Sequence, residues 1–246
     1  MNMFDPGLMI MVAVAFCIAG FVKGVVGLGL PTVSLGLLSL FVDLPIAMAL
    51  LVIPSLVTNI WQAIVGGQFT PLLRRLWPFL LMAVAMVHVG AELSTMIETA
   101  LLLRGLGALL LVYALFALIG KTPQLLSRQE RVFSPICGAI NGLLTGLTGT
   151  LFLPGVMFLQ AIGLSRDVLV QAMGMLFAAS TASLGLALYW NGLMPVDVSI
   201  LSSAALLPTL FGMGVGQALR SRLSQDFFRR LFLIAIGGLG SYIFLS

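Results

Sequence analysis

Apolar residues run along this chain in long blocks, broken by Gly/Pro pairs and by single charges. Reading between those breaks gives ten apolar segments, at roughly 8–22, 24–42, 44–66, 76–93, 99–119, 133–147, 150–163, 168–189, 197–218 and 227–245. A helix that spans a bilayer needs about 20 apolar residues. Segments 8–22, 133–147 and 150–163 have only 14 or 15. At about 1.5 Å per residue they cover about 22 Å, short of a hydrocarbon core of about 30 Å. The pattern predicts a broken or re-entrant pair at the start of each half, two half-helices forming a V near the midplane. Three full spans follow in each half.

Composition then fixes the solvent. The chain has 246 residues, of which 60% are hydrophobic and 8% charged, and its mean hydropathy is +1.16. A soluble domain is roughly a quarter charged, so 20 charged residues do not cover a globular surface of this size. The expected class is an all-α polytopic membrane protein with the lipid bilayer as its main partner. A cytosolic, secreted or nucleic-acid-binding protein is excluded on the same ground, since the basic residues stand singly rather than on one face. Cys17 and Cys137 lie inside apolar runs without C-x-x-C or a Cys/His cluster, which gives no metal and no thiol-redox site. The start lacks a basic stretch, so the first apolar run is expected to be retained.

The charges set an expected topology. Arg74, Arg75, Lys121, Arg128, Arg131, Arg166, Arg220, Arg222, Arg229 and Arg230 all fall in loops that the positive-inside rule puts in the cytoplasm. Lys23 and Arg104 are the exceptions. Both termini then come out external. This parity makes each half cross the membrane an odd number of times, and so makes the halves inverted: 1–122 as the N-terminal repeat, 123–132 as a cytoplasmic linker, 133–246 as the C-terminal repeat. Each repeat has about five helical segments.

Residues repeat as well. Gly20 to Pro31 reads G-F-V-K-G-V-V-G-L-G-L-P, and Gly138 to Pro154 reads G-A-I-N-G-L-L-T-G-L-T-G-T-L-F-L-P. Aligning Gly20 with Gly138 puts Gly24 on Gly142, Lys23 on Asn141 and Gly27 on Thr145. Val89–Leu93 matches Val215–Leu219, and Arg104 then meets Arg230. Inverted repeats with helices broken by Gly or Pro at matching places point to a secondary transporter whose substrate sits near the midplane.

These paired glycine signatures, with the P-x-x-x-T-N run from Pro54 to Asn59 and the basic central loop, resemble the sulfite exporter TauE/SafE family, the TSUP permeases. The resemblance covers nearly the whole chain. It implies a bacterial inner-membrane, multi-pass transporter of small sulfur-containing anions such as sulfite, thiosulfate or organosulfonates, working by alternating access without a cofactor. The second signature departs from the family, with Thr145, Leu147 and Thr148 where glycines are usual.

Several residues suit anion chemistry. Lys23 lies between Gly20 and Gly24, and a cation at mid-bilayer costs about 2.5–3.5 kcal/mol on insertion scales, so it reads as functional. The bland alternative is a snorkelling interfacial lysine. Gly24, Gly27, Gly29, Gly142 and Gly149 expose backbone N–H groups at the breaks, where helix N-termini favour anions. They equally fit small-xxx-small helix packing. Asn59, Gln62, Asn141, Thr145, Thr148 and Gln171 are polar side chains inside apolar runs. Ser180, Thr181 and Ser183 are too, with Asn59 falling loosely opposite Ser183. Hydroxyls in membrane helices more often bond their own backbone. His88, the only histidine, is either a coupling residue or a satisfied interhelical one.

No carboxylate lies mid-segment, and H-E-x-x-H, G-x-S-x-G and Walker signatures are missing, so no enzyme and no ATP-driven pump is expected. The expected partner is a small anionic substrate, with a homodimer left open. The rival readings are an anion channel of the same architecture and a non-transporting membrane assembly protein.

Overall fold

A computed structural model describes residues 3–119, 124–220, 222 and 224–245. Lys121 and the first residue of the expected linker lie outside the described residues. The helices are α1 (Pro6–Val26), α2 (Leu30–Leu38), α3 (Leu44–Ile64), α4 (Phe69–Ser94), α5 (Thr99–Ile119), α6 (Ser127–Thr148), α7 (Gly155–Ala161), α8 (Arg166–Trp190), α9 (Val196–Leu219) and α10 (Gln225–Leu245). Among the described residues there is no strand. Helices α1, α3, α4, α5, α8 and α9 are long and apolar enough to cross a membrane. Large apolar side chains stay exposed along their outer faces, for example Ile10, Val14 and Ile18 on α1 and Leu207 and Phe211 on α9. An outer face this apolar is one that lipid covers. The chain is a multi-pass, all-helical membrane protein.

The local signals explain the helix ends. Asp5 caps α1, its carboxylate accepting from the Leu8 N–H at 3.0 Å, and Pro6 takes the first helical position, where no N–H is needed. The helix then runs straight through Lys23 and stops at Gly27, whose φ of 87° is left-handed. Here the structure corrects the segment reading. Lys23 is a good helix former, not a breaker. So α1 has 21 residues rather than 15, and it is α2 that is short, with 9. The second half follows suit: α6 has 22 residues and α7 only 7. Each half opens with a long helix broken into a short one, not with a V of two equal half-helices.

The chain divides into two compact units. Unit 1 holds 1–54, 99–120 and 192–246; unit 2 holds 55–98 and 121–191. In unit 1, α1 lies along α9, α5 along α10, and α2 rests on α1 and α10. In unit 2, α4 packs on α6 and α8, and α7 sits against both α6 and α8. Each unit therefore draws helices from both halves of the sequence.

Glycines set how closely these pairs approach. In unit 1 a Cβ at Gly20 or Gly24 would run into the carbonyl oxygens of Thr209 and Met213, and one at Gly212 or Gly216 into those of Cys17 and Phe21. In unit 2 the same holds for Gly138, Gly142 and Gly146 against Phe79, Ala83 and Val87, and for Gly90 against Leu143. With no Cβ in the way, backbones approach closely and gain van der Waals contact, which is what drives helix association where lipid is as apolar as the side chains.

With the two halves taken as repeats, this packing points to a different register from the alignment of Gly20 with Gly138. Gly24 meets the backbone of Met213, Gly216 and Gln217; Gly146 meets that of Val87, Gly90 and Ala91. Those partners match along Val89–Leu93 and Val215–Leu219. Gly24 therefore corresponds to Gly146 and Gly20 to Gly142, one helical turn later than the alignment of Gly20 with Gly138. The left-handed caps Gly27 and Gly149 fall in the same register. Lys23 corresponds to Thr145, not Asn141. The first residues of α3 and α8, Leu44 and Arg166, keep that register, so Asn59 corresponds to Thr181, not Ser183.

Candidate functional site

Unit 1 has a helix break between α1 and α2. Lys23 lies in the last turn of α1 and is only 5% exposed. Its carbonyl accepts from the N–H of Gly27 at 2.7 Å, closing the turn. Two residues on, Gly29 has a φ of 104° and leads into α2 without a side-chain cap. Both glycines hold backbone angles that an L residue enters only at a cost of about 1–2 kcal/mol. Gly27 and Gly29 thus serve the break itself, while Gly24 is taken up by packing on α9.

Unit 2 has a helix break between α6 and α7. Gly149 ends α6 with a φ of 75°. Thr145, Thr148 and Thr150 hold this turn together. Thr145 Oγ1 lies 2.8 Å from the Asn141 carbonyl and 2.7 Å from that of Thr150, and its one proton serves either. Thr148 Oγ1 bonds the Leu144 carbonyl at 2.8 Å and meets Thr150 Oγ1 at 2.8 Å. Asn141 is fully buried, and its Oδ1 accepts from the Gly155 N–H at 3.0 Å, tying α6 to the start of α7. Gly142, like Gly24, is a packing residue.

The other amides divide between clamp and core. Gln62 donates to the Val170 carbonyl at 2.8 Å. Gln171 donates to the Ala63 carbonyl at 2.8 Å and accepts from the Gln68 N–H at 3.0 Å. Together they bind the end of α3 to α8, and Gln171 satisfies the Ala63 carbonyl that the end of α3 leaves open. Asn59 is buried and donates to Ser55 Oγ at 3.1 Å.

His88 is half-buried and stacks on Trp190, with ring centroids 5.2 Å apart. Its Nε2 lies 3.2 Å from Ser183 Oγ, which in turn donates to the Val84 carbonyl at 2.8 Å. With that proton spent on Val84, Ser183 accepts, and the histidine donates from Nε2. These contacts hold His88 of α4 against α8.

Among the described residues, four buried side-chain atoms have no hydrogen-bond partner: Ser134 Oγ, Asn141 Nδ2, Ser180 Oγ and Thr181 Oγ1. All four belong to unit 2. A buried polar group left unpaired costs about 1–3 kcal/mol.

The sulfite exporter TauE/SafE family matches residues 12–243. The chain belongs to this family. No curated protein and no solved structure matches the chain. Of the expected site residues, Lys23, Gly27 and Gly29 lie at the α1 break of unit 1, and Asn141, Thr145, Thr148 and Gly149 lie at the α6 break of unit 2. Sequence reasoning missed Thr150 and Gly155 there. Thr150 directly follows Gly149 and continues the polar run, a signal that was available. Gly155 carried none, because its role comes from Asn141, 14 residues away along the chain.

Proposed function

We propose that this TauE/SafE protein is a secondary transporter that exports small sulfur-containing anions, sulfite or organosulfonates, across the bacterial inner membrane by alternating access. Family membership supports the transport class. The observation that carries the site is Lys23: a cation that is 5% exposed, in the last turn of a membrane-length helix, directly before a glycine break. Its ammonium offsets the substrate's negative charge, and the cost of placing it there is the reason to read it as functional. We further propose inverted repeats at 1–122 and 133–246, with both termini outside.

Coupling needs no carboxylate in this reading. An inside-negative potential pushes a monovalent anion outward with about 2.3 kcal/mol per 100 mV. Flux of labelled sulfite and of a sulfonate into proteoliposomes, for the wild type and Lys23→Ala, tests the proposal. Saturable, electrogenic flux that falls at least tenfold in Lys23→Ala is expected. Non-saturating flux indicates a channel, and flux indifferent to Lys23→Ala removes the lysine from the site.

A further inference from the structure

The transport reading leaves three buried donors unexplained. Asn141 is on α6; Ser180 and Thr181 are on α8; all three are fully buried. The side-chain NH2 of Asn141 and both hydroxyls have no hydrogen-bond partner. Hydroxyls in helices usually bond the carbonyl one turn back, as Thr145 and Thr148 on α6 illustrate by reaching back four residues. Ser180 and Thr181 do not.

All three donors lie in unit 2, on α6 and α8, which pack on each other. A Cβ at Gly155 would stand 2.5 Å from Asn141 Oδ1 and 2.6 Å from Leu176 Cδ2, so Asn141 and Leu176 face each other across the start of α7. Ser180 follows Leu176 by one helical turn and shares its face, with Thr181 next to it. The Asn141 amide is fixed in orientation, because an N–H requires an acceptor and Gly155 N already holds Oδ1 at 3.0 Å. Its NH2 is therefore the free end.

We propose that Asn141, Ser180 and Thr181 form a hydrogen-bond-donating subsite in unit 2 for the oxygen atoms of an oxyanion, either sulfite or the –SO3− head of a sulfonate. This rests on the transport reading above. The Asn141 NH2 only donates, and each hydroxyl donates one proton. The ligand they suit is rich in acceptors. The subsite supplies neutral donors, so it recognises oxygen geometry independently of the Lys23 charge.

The test uses the full-length protein in lipid nanodiscs and proteoliposomes, with sulfite as the probe. Two readouts are taken: the apparent KM for flux and the thermal midpoint with and without sulfite. Thr181→Val keeps the side-chain shape and removes the orphaned hydroxyl. Its ligand-free midpoint is expected to stay level or rise, while the KM rises about tenfold, the usual size for a hydrogen bond to a charged group. Asn141→Asp keeps an oxygen for the Gly155 N–H but turns the free end into an acceptor, and sulfite affinity is expected to fall at least tenfold. A Thr181→Val protein with a lowered midpoint and unchanged KM means that the hydroxyl serves a buried water network, and overturns the subsite. Unchanged KM and midpoint overturn it too. If Asn141→Asp does not fold, Ser180→Ala and Thr181→Val decide. Absence of wild-type flux and of any sulfite-induced midpoint shift instead overturns the transport reading, and the subsite with it.

Discussion

Replacing Gly24 by alanine sets two local gains against one tertiary cost. An exposed helical Gly→Ala gains about 1 kcal/mol in propensity, measured in water. Burying the added methyl gains about 0.8 kcal/mol. Against this, the new Cβ would collide with the Met213 carbonyl and stand 2.9 Å from Gln217 N and 3.0 Å from Gly216 Cα. All three are backbone atoms, so no rotamer change relieves the clash and α9 must move away. Overpacking of this kind costs about 1–3 kcal/mol, occasionally more. Separating α1 from α9 adds loss of contact along the pair, where Gly20, Gly212 and Gly216 interlock as well. Because the clash is with rigid backbone, the upper end of that range applies, and with the lost contact the net expectation is destabilisation by about 1–2 kcal/mol. Gly214→Ala is the matched control. It lies on α9 and a Cβ there would meet nothing within 4 Å, so only the propensity gain remains. Thermal unfolding in nanodiscs should place Gly24→Ala below wild type and Gly214→Ala at or above it. If the two variants unfold at the same temperature, close helix approach does not explain these glycines.

Two further outcomes follow from single contacts. Gln171→Leu removes the side-chain partners of the Ala63 carbonyl and the Gln68 N–H. A loss of about 1–3 kcal/mol is expected, mostly from Ala63, which is buried where Gln68 is exposed; an unchanged unfolding midpoint refutes the clamp. Gly27→Ala meets nothing within 4 Å but must hold a φ of 87°. The cost is the left-handed strain alone, about 1–2 kcal/mol, and Gly27→Asn should recover part of it in the same assay, since asparagine tolerates that region better.

The bilayer environment, the number of apolar segments, the two glycine-rich stretches and the family resemblance were all legible in the chain, because hydropathy and short motifs are local properties. Where α1 ends was legible in principle, since Gly27 and Gly29 are the residues suited to a left-handed break, but the charge of Lys23 was the louder signal and misplaced the boundary. The repeat register was not legible. Gly138, Gly142 and Gly146 recur at one-turn intervals, so sequence alone matches Gly20 to Gly138 or Gly142 equally well; only the backbone facing each glycine distinguishes them. Likewise the amides of Gln62, Gln171 and Asn141 read alike in an apolar run. Tertiary contacts made the first two a clamp on α3 and α8 and left the third with an NH2 unpaired. A polar side chain's role depends on which backbone groups stand within about 3 Å of it, and for residues far apart along the chain that is decided by packing.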